Sequence, residues 1–168
     1  SLYSEKKVFI RELVQNGHDS IRRRQKREDH HHGRIDIEMR PEENWITFTD
    51  NGIGMNDADL NEYLSRIGAS GTKKLGCGDE NVSGLVGQFG IGFLSGFIVA
   101  ERVEVRTRKF GEENGWLWQN DGGKSYTVEP CSLKAVGTTV KVVIRDQVDR
   151  ILIEPEAVIQ VVREYCDM

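Results

Sequence analysis

The chain has 168 residues, of which 38% are hydrophobic and 30% are charged, and its formal net charge is −4. These values are ordinary for one globular domain, here residues 1–168, that is large enough to bury a core. No run of about 18 apolar residues occurs, which excludes a membrane-spanning helix, and the net negative charge argues against a nucleic-acid surface. Cys77, Cys131 and Cys166 form no C-x-x-C pair. This spacing favours reduced thiols in a cytosol over disulfides or a zinc site.

The first predicted element is a helix from Tyr3 to about Arg27, because apolar residues recur there at helical spacing. Its basic end suits the negative end of a helix dipole, although a patch for an anionic partner is the alternative. Residues 30–32 are three adjacent histidines. Three neighbouring imidazoles cannot all face one metal from a regular element, so this segment is predicted to be a loop.

A β-hairpin and a second helix follow. Residues 34–39 and 45–49 read as strands, with turn chemistry between them. Asn56 is a suitable N-cap for a helix through about Ile67, with Asp59 completing an imperfect capping box.

The second half of the chain begins with residues 68–87, where glycine is frequent; about twenty residues of weak structure in a compact domain indicate a functional lid or disorder. A helix from Phe93 to about Ala100 and strands over residues 102–108, 116–120, 125–129 and 138–145 are predicted next. Pro155 opens a last amphipathic helix. Helices on one side of a largely antiparallel sheet give an α+β, two-layer fold.

Three polar residues of the first helix, Glu12, Asn16 and Asp19, lie at i, i+4 and i+7 and form one narrow stripe. The stripe runs beside the face that should be buried. Burying carboxylates and amides costs several kcal/mol (roughly) unless they are paired or hydrogen-bonded. The stripe is therefore either solvated surface or the wall of a pocket.

Asp50 is in phase with Ile46 and Phe48, so its carboxylate leaves the second strand on the apolar side. There it can accept a hydrogen bond from an exocyclic amine such as that of adenine. The alternative is an Asx-turn or helix N-cap made by Asp50 itself. Thr138 is in phase with Val140 and Val142 and also faces inward, where its hydroxyl can assist in base recognition, directly or through water. The alternative is an ordinary β-branched strand residue.

The segment Gly84–Gly96 contains five glycines among apolar residues. One interpretation is a loop that enters a helix, with the amides of residues 90–93 forming an anion site at the positive end of the dipole. The other is a tight turn with close helix packing. Walker, G-x-G-x-x-G and kinase signatures are absent from the sequence.

Four blocks, taken in order, resemble the ATP-binding domain shared by Hsp90-type chaperones, type II topoisomerases, MutL proteins and histidine kinases, the GHKL superfamily. The blocks are Glu12-x-x-x-Asn16, Asp50-x-Gly52-x-Gly54, Gly87–Phe93 and Gly137-Thr138. Within the superfamily the sequence is most similar to the Hsp90 family, and to its bacterial HtpG group in particular. The segments that carry this likeness are Ser1–Ser4, Phe9–Leu13, Asp50–Met55, Ser70–Lys73, Gly87–Phe93 and Phe97–Val103.

The resemblance covers almost the whole chain, and what it implies is the following. The fold would be the Bergerat-type two-layer sandwich, with a mostly antiparallel mixed sheet, helices on one face and a lid at about residues 68–86. The cofactors would be ATP or ADP and Mg²⁺, with Glu12 as the general base and Asn16 as the metal ligand. The other nucleotide contacts would come from Asp50, Gly54, Met55, Ser70, Gly71, Gln88, Gly90, Ile91, Gly92, Phe93, Phe97 and Thr138, with Thr72 also in the lid.

The resemblance also implies a cytoplasmic chaperone domain, monomeric when isolated, that works in a homodimer on unfolded client proteins. A start at Ser1 would make the chain a piece of a longer protein, without the middle and C-terminal domains of that family. His18, Tyr63 and Ala69 depart from the residues usual in the family. The alternatives are a DNA-acting ATPase of the gyrase or MutL kind, and a nucleotide-binding module that does not hydrolyse, against which Glu12 argues.

Overall fold

The computed structural model describes residues 2–68, 100–120, 126–145 and 153–166. A six-stranded antiparallel sheet has the strand order β1-β2-β6-β3-β4-β5. Its strands are β1 (Ile35–Arg40), β2 (Trp45–Asp50), β3 (Ala100–Arg108), β4 (Gly115–Asn120), β5 (Tyr126–Cys131) and β6 (Gly137–Ile144). The helices in the described ranges are α1 (Leu2–Gln25), α2 (Asp57–Gly68) and α3 (Pro155–Cys166). This is the α+β class that the sequence predicts.

The core lies between the helices and one face of the sheet. Phe9 of α1 meets Phe48 of β2 edge to face, with ring centroids 6.4 Å apart. Alternate residues of the central strands, including Val103 and Val142, are fully buried on the same side. Each such aliphatic side chain stabilises the fold by about 1.5–3 kcal/mol through burial. The sheet therefore has one helix-covered face, and its partly exposed face carries pairs such as Lys141 over the ring of Trp45.

The predicted starts of the two shorter helices and the predicted turn between the first two strands are confirmed. Asn56 Oδ1 accepts the Asp59 backbone N–H at 2.8 Å, and Asp59 Oδ2 accepts the Asn56 N–H at 3.1 Å, so the capping box is complete. The β1–β2 connection is a 3₁₀ turn over Pro41–Glu43, followed by Asn44 in the left-handed region at φ 63°. Pro155 is the first residue of α3.

Several predicted ends are shifted by one or two residues, and at two of them the structure assigns a different element from the one predicted. Ala100 begins β3 rather than ending a helix, because it already pairs with Ile144, across an irregularity in register before Arg102. Gly68 is the last residue of α2 rather than the first of the lid. The predicted lid from residue 69 onward and the predicted helix from Phe93 to residue 99 lie outside the described residues. No helix in the described ranges is long and apolar enough to cross a membrane.

Candidate nucleotide site

One row across the helix-covered face of the sheet is polar where its neighbouring rows are apolar. Asp50 of β2 pairs with Thr138 of β6, which in turn pairs with Thr107 of β3. The adjacent row is Phe48, Val140 and Val105. Because residues in register share a face, the carboxylate and the two hydroxyls lie together at one end of the core. The prediction that Asp50 and Thr138 both face inward is confirmed.

Thr107, which was not predicted to take part in the site, is 0% exposed. Its Oγ1 lies 2.8 Å from Thr138 Oγ1, accepts the Met55 backbone N–H at 2.8 Å, and donates to the Gly137 carbonyl at 3.1 Å. Since its single proton is directed at the carbonyl, Thr138 donates to Thr107 and keeps lone pairs for a ligand. The sequence does indicate that Thr107 faces inward, because it is in phase with the apolar residues Val103 and Val105 on the same strand.

The turn after β2 holds the Asp50 carboxylate. Oδ1 accepts the Gly52 backbone N–H at 2.8 Å, which is the Asx-turn that the sequence left as an alternative. The turn and the inward position therefore coexist. Burial raises the pKa of Asp50 to about 6, while the hydrogen bonds from the Gly52 N–H and the Ser20 side chain act in the lowering direction. A buried carboxylate of this kind stays a strong acceptor at neutral pH.

Two glycines let backbone segments close the floor of the site. Gly54 has φ +70°, and a Cβ added there would collide with the Arg108 carbonyl oxygen. Gly137 has φ +137°, and an added Cβ would collide with the Asp50 carbonyl oxygen. Only glycine tolerates both the backbone conformation and the close approach. The half-buried Met55 follows Gly54 and joins the apolar boundary of the core.

Helix α1 forms the wall beside Asp50. Gly17 lies against the strand, since an added Cβ would be 3.4 Å from Asp50 Cβ and 3.2 Å from Ile35 Cδ1. Asn16, next to Gly17, is exposed, and Glu12 is half-buried. At about 1.5 Å rise per residue, Asn16 and Glu12 lie roughly 6 and 12 Å from Ser20 along the helix. Ser20, Asn16 and Glu12 recur at every fourth residue on one side of α1, so a ligand that reached from Asp50 to Glu12 would be elongated.

The pKa of Glu12 is subject to opposing influences. Burial raises the pKa of its carboxyl most, the neighbouring Arg11 lowers it, and Asp19 raises it. A raised pKa makes the carboxylate a better proton acceptor. Asn16 offers a neutral amide oxygen, and Mg²⁺ accepts such a ligand when waters and phosphate oxygens complete its shell. The chemistry of this stretch fits a metal-bound polyphosphate.

The remaining predicted nucleotide contacts, and the departure at Ala69, lie outside the described residues, and the Tyr63 side chain is not described either. The contacts concerned are Ser70, Gly71, Gln88, Gly90, Ile91, Gly92, Phe93 and Phe97.

The histidine segment is a loop, as predicted, and it braces the turn after Asp50. His31 Nε2 lies 2.7 Å from the Asn51 carbonyl oxygen, which also accepts Arg24 Nη1 at 3.0 Å. The Asn51 side-chain amide donates to the His32 carbonyl at 2.8 Å. Within the described parts of the chain, no three His, Cys, Asp or Glu side chains are grouped to hold a metal ion.

Comparison with known families agrees with this arrangement. Residues 3–147 match the family described as "Histidine kinase-, DNA gyrase B-, and HSP90-like ATPase". The chain belongs to this family. Similar proteins named "Chaperone protein HtpG" include one from Wolinella succinogenes, 38% identical over 88% of this chain and 26% of its own length. One from Psychrobacter arcticus is 43% identical over 88% of this chain and 24% of its own length.

The likeness to HtpG proteins runs along nearly the entire chain in some relatives, such as that of Sulfurovum sp., which is 36% identical over 98% of this chain. The resemblance to Hsp90-type ATPase domains is thereby confirmed. The chain spans about a quarter of the length of these relatives, from 24% to 28%.

Proposed function

We propose that this chain is the Mg-ATP-binding and hydrolysing domain of an Hsp90-family chaperone. The observation that carries the proposal is the polar row on an otherwise apolar sheet face, where Asp50, Thr138 and Thr107 meet under helix α1. A hydrogen-bond acceptor at the end of an apolar sheet face suits an adenine ring, whose exocyclic amine needs such a partner. Family membership supports the same ligand.

The adenine base would be recognised by residues at the sheet end of the site. Asp50 accepts from the adenine amine, and Thr138, held by Thr107, presents its oxygen to a ring nitrogen through water or to the amine directly. Gly54 admits the ring against the backbone, and Met55 borders it. The ligand's phosphates then extend along α1 toward Asn16 and Glu12. The proposed lid, now limited to residues 69–86, and the amides of residues 90–93 would complete the phosphate contacts.

Hydrolysis would use Glu12 as a general base. A water oxygen attacks the γ-phosphorus, the bond between that phosphorus and the β,γ-bridging oxygen breaks, and Glu12 takes the proton of the water, leaving ADP and phosphate. Asn16 would hold Mg²⁺, which neutralises charge on the phosphate oxygens. Geometry toward the water matters first for such a base, and the raised pKa assists it.

In the longer protein, ATP binding would shift a homodimer toward a clamped state that acts on unfolded client proteins in the cytoplasm, and hydrolysis would reset it. The chaperone names of the relatives favour this assignment over a DNA-acting ATPase. The isolated domain would be monomeric. It would also be slow, because the resemblance to Hsp90 proteins implies that an arginine of their middle domain contacts the γ-phosphate, and such an arginine is worth about 10³–10⁵ in rate in comparable phosphoryl transfers.

Isothermal titration of the chain with ADP and Mg²⁺ tests the proposal. Stoichiometric binding, with GDP binding much more weakly, is the expected result. Absence of ADP binding, or equal binding of GDP, would refute it. Adding duplex DNA to a turnover assay of the longer protein addresses the rival function, since stimulation by DNA would favour the gyrase or MutL kind.

A further inference from the structure

Ser20, on α1, lies directly against the turn that carries Asp50. Its Oγ accepts the Ile53 backbone N–H at 3.1 Å, and its carbonyl oxygen accepts the same N–H at 3.0 Å. Gly52 packs so closely on Ser20 that an added Cβ would collide with the serine side chain. The serine hydroxyl is thus fixed between helix and turn, beside the carboxylate that receives the base.

The proton of this hydroxyl is free for donation, because the oxygen is the acceptor in its contact with Ile53. Asp50 Oδ1 accepts the Gly52 N–H at 2.8 Å, and Ser20 Oγ, held at the next residue of the same turn, is placed to donate to this carboxylate and acts to lower its pKa. Two protein donors therefore hold the carboxylate, one from the backbone and one from a side chain. A carboxylate has about four lone-pair sites, so acceptor capacity remains for a ligand amine.

We propose that Ser20 is a positioning residue for base specificity: its hydroxyl keeps Asp50 a pure acceptor, which makes the site select a 6-amino purine over a 6-oxo purine. The inference rests on the proposed nucleotide function and names a determinant of its substrate class. An ionised carboxylate can only accept, whereas a protonated one can donate to a 6-oxo group. The ionisation state of Asp50 is thus the discriminating variable.

The pKa of Asp50 supports the argument. Burial raises it to about 6, close enough to neutrality that the loss of a lowering contact matters. Without the Ser20 hydroxyl that pKa rises further, and a larger share of Asp50 is protonated near pH 6.5. Amine recognition then weakens, and donation to a 6-oxo group becomes available.

Other charged groups surround this turn. On α1, Arg24 is bonded to the Asn51 carbonyl, Asp19 precedes Ser20, and Glu12 lies about 12 Å further along the helix. His31, from the loop before β1, contacts the same carbonyl oxygen, and Arg34 donates its backbone N–H to the Asn51 side chain. Arg108 of β3 lies beside Gly54. All of these groups are present in both wild type and the Ser20 variant, so a difference between the two pH profiles isolates the effect of the hydroxyl.

The test compares the wild-type chain with Ser20→Ala, titrated with ADP and with inosine diphosphate from pH 5.5 to 8.5. In Ser20→Ala, the midpoint at which ADP affinity declines should move up by roughly half to one pH unit. The preference for ADP over inosine diphosphate should fall about threefold or more at pH 6.5. Ser20→Cys, with a weaker donor of similar size, should lie between the two and serves if the alanine variant does not fold.

Each outcome separates the two proposals. Parallel pH profiles with an unchanged ADP preference would mean that Ser20 only packs, and would overturn the inference while leaving the nucleotide function intact. A wild-type chain that binds neither nucleotide at any pH would overturn the proposed function itself. Thermal unfolding at pH 8 checks that the variants compared are folded.

Discussion

The Thr107 and Thr138 hydroxyl oxygens lie 2.8 Å apart across neighbouring strands β3 and β6. Thr107 is fully buried and also binds the Met55 N–H and the Gly137 carbonyl. One hydroxyl thus ties the segment after Asp50 to the start of β6. The floor of the site is therefore held by the fold itself and does not depend on a ligand to assemble it.

Replacing Thr107 by valine should destabilise the chain by about 1–3 kcal/mol, because the Met55 N–H and the Gly137 carbonyl lose a buried partner. ADP affinity should fall as well, since Thr138 loses its acceptor. Thr139→Val is the matched control, as Thr139 Oγ1 pairs with Thr49 Oγ1 at 3.0 Å on the opposite face of the sheet. Denaturant unfolding and ADP titration are the measurements. Equal effects of both variants would contradict the assigned role.

Gly54→Ala should destabilise the chain by more than about 2 kcal/mol, because a positive φ is combined with a collision against the Arg108 carbonyl. Gly111 is the control, since its φ is +83° but an added Cβ would meet nothing within 4 Å. Gly111→Ala should cost only about 1 kcal/mol, from backbone strain alone. Thermal unfolding compares the two, and similar losses would argue against close packing at Gly54.

The buried, ionised carboxylate of Asp50 should destabilise the unliganded chain. Its pKa is raised from 3.8 to about 6 on folding, so between these values the native state holds the proton that the unfolded state has lost. The contribution of Asp50 to the free energy of unfolding therefore falls as pH rises through this window. By pH 7.5 this fall amounts to about 1–3 kcal/mol. Asp50→Asn should be more stable than wild type at pH 7.5 and lose that advantage near pH 4. An advantage that is the same at both pH values would contradict the raised pKa.

Glu12→Ala should leave ADP affinity within about threefold, because the carboxylate acts on the attacking water and not on the bound diphosphate. In the longer protein the same change should lower ATP turnover by at least about 10²-fold. Gln15→Ala, on the same helix and away from the proposed water, is the control for helix effects. A phosphate-release assay that finds substantial turnover in Glu12→Ala would remove Glu12 from its role as base.

Much of the fold can be predicted from periodicity and capping residues alone. Asn56, Asp59 and Pro155 mark helix starts because their local chemistry satisfies or omits the first amide groups of a helix. The inward position of Asp50 and Thr138 follows from the two-residue period of a strand. The order of the strands cannot be predicted from such local patterns, since β6 lies between β2 and β3 through contacts between residues that are far apart in the sequence.

The rest of the site depends on partners that no single segment reveals. Thr107 reads as an ordinary strand residue until its register with Thr138 is known. Ser20 reads as one small residue of a helix, and only the packing of Gly52 against it places its hydroxyl beside Asp50. Local patterns specify which face a side chain takes, whereas the contact it makes is set by tertiary register.

Recognition of an adenine amine by Asp50 is tested by calorimetric titration of ADP into wild-type and Asp50→Asn chains at pH 7.5. Asparagine is nearly isosteric and its side-chain oxygen can still accept the Gly52 N–H, so the turn should survive. We expect that wild type binds ADP and that Asp50→Asn, although folded, loses at least about 10²-fold in affinity. Equal affinity of the two chains would contradict it.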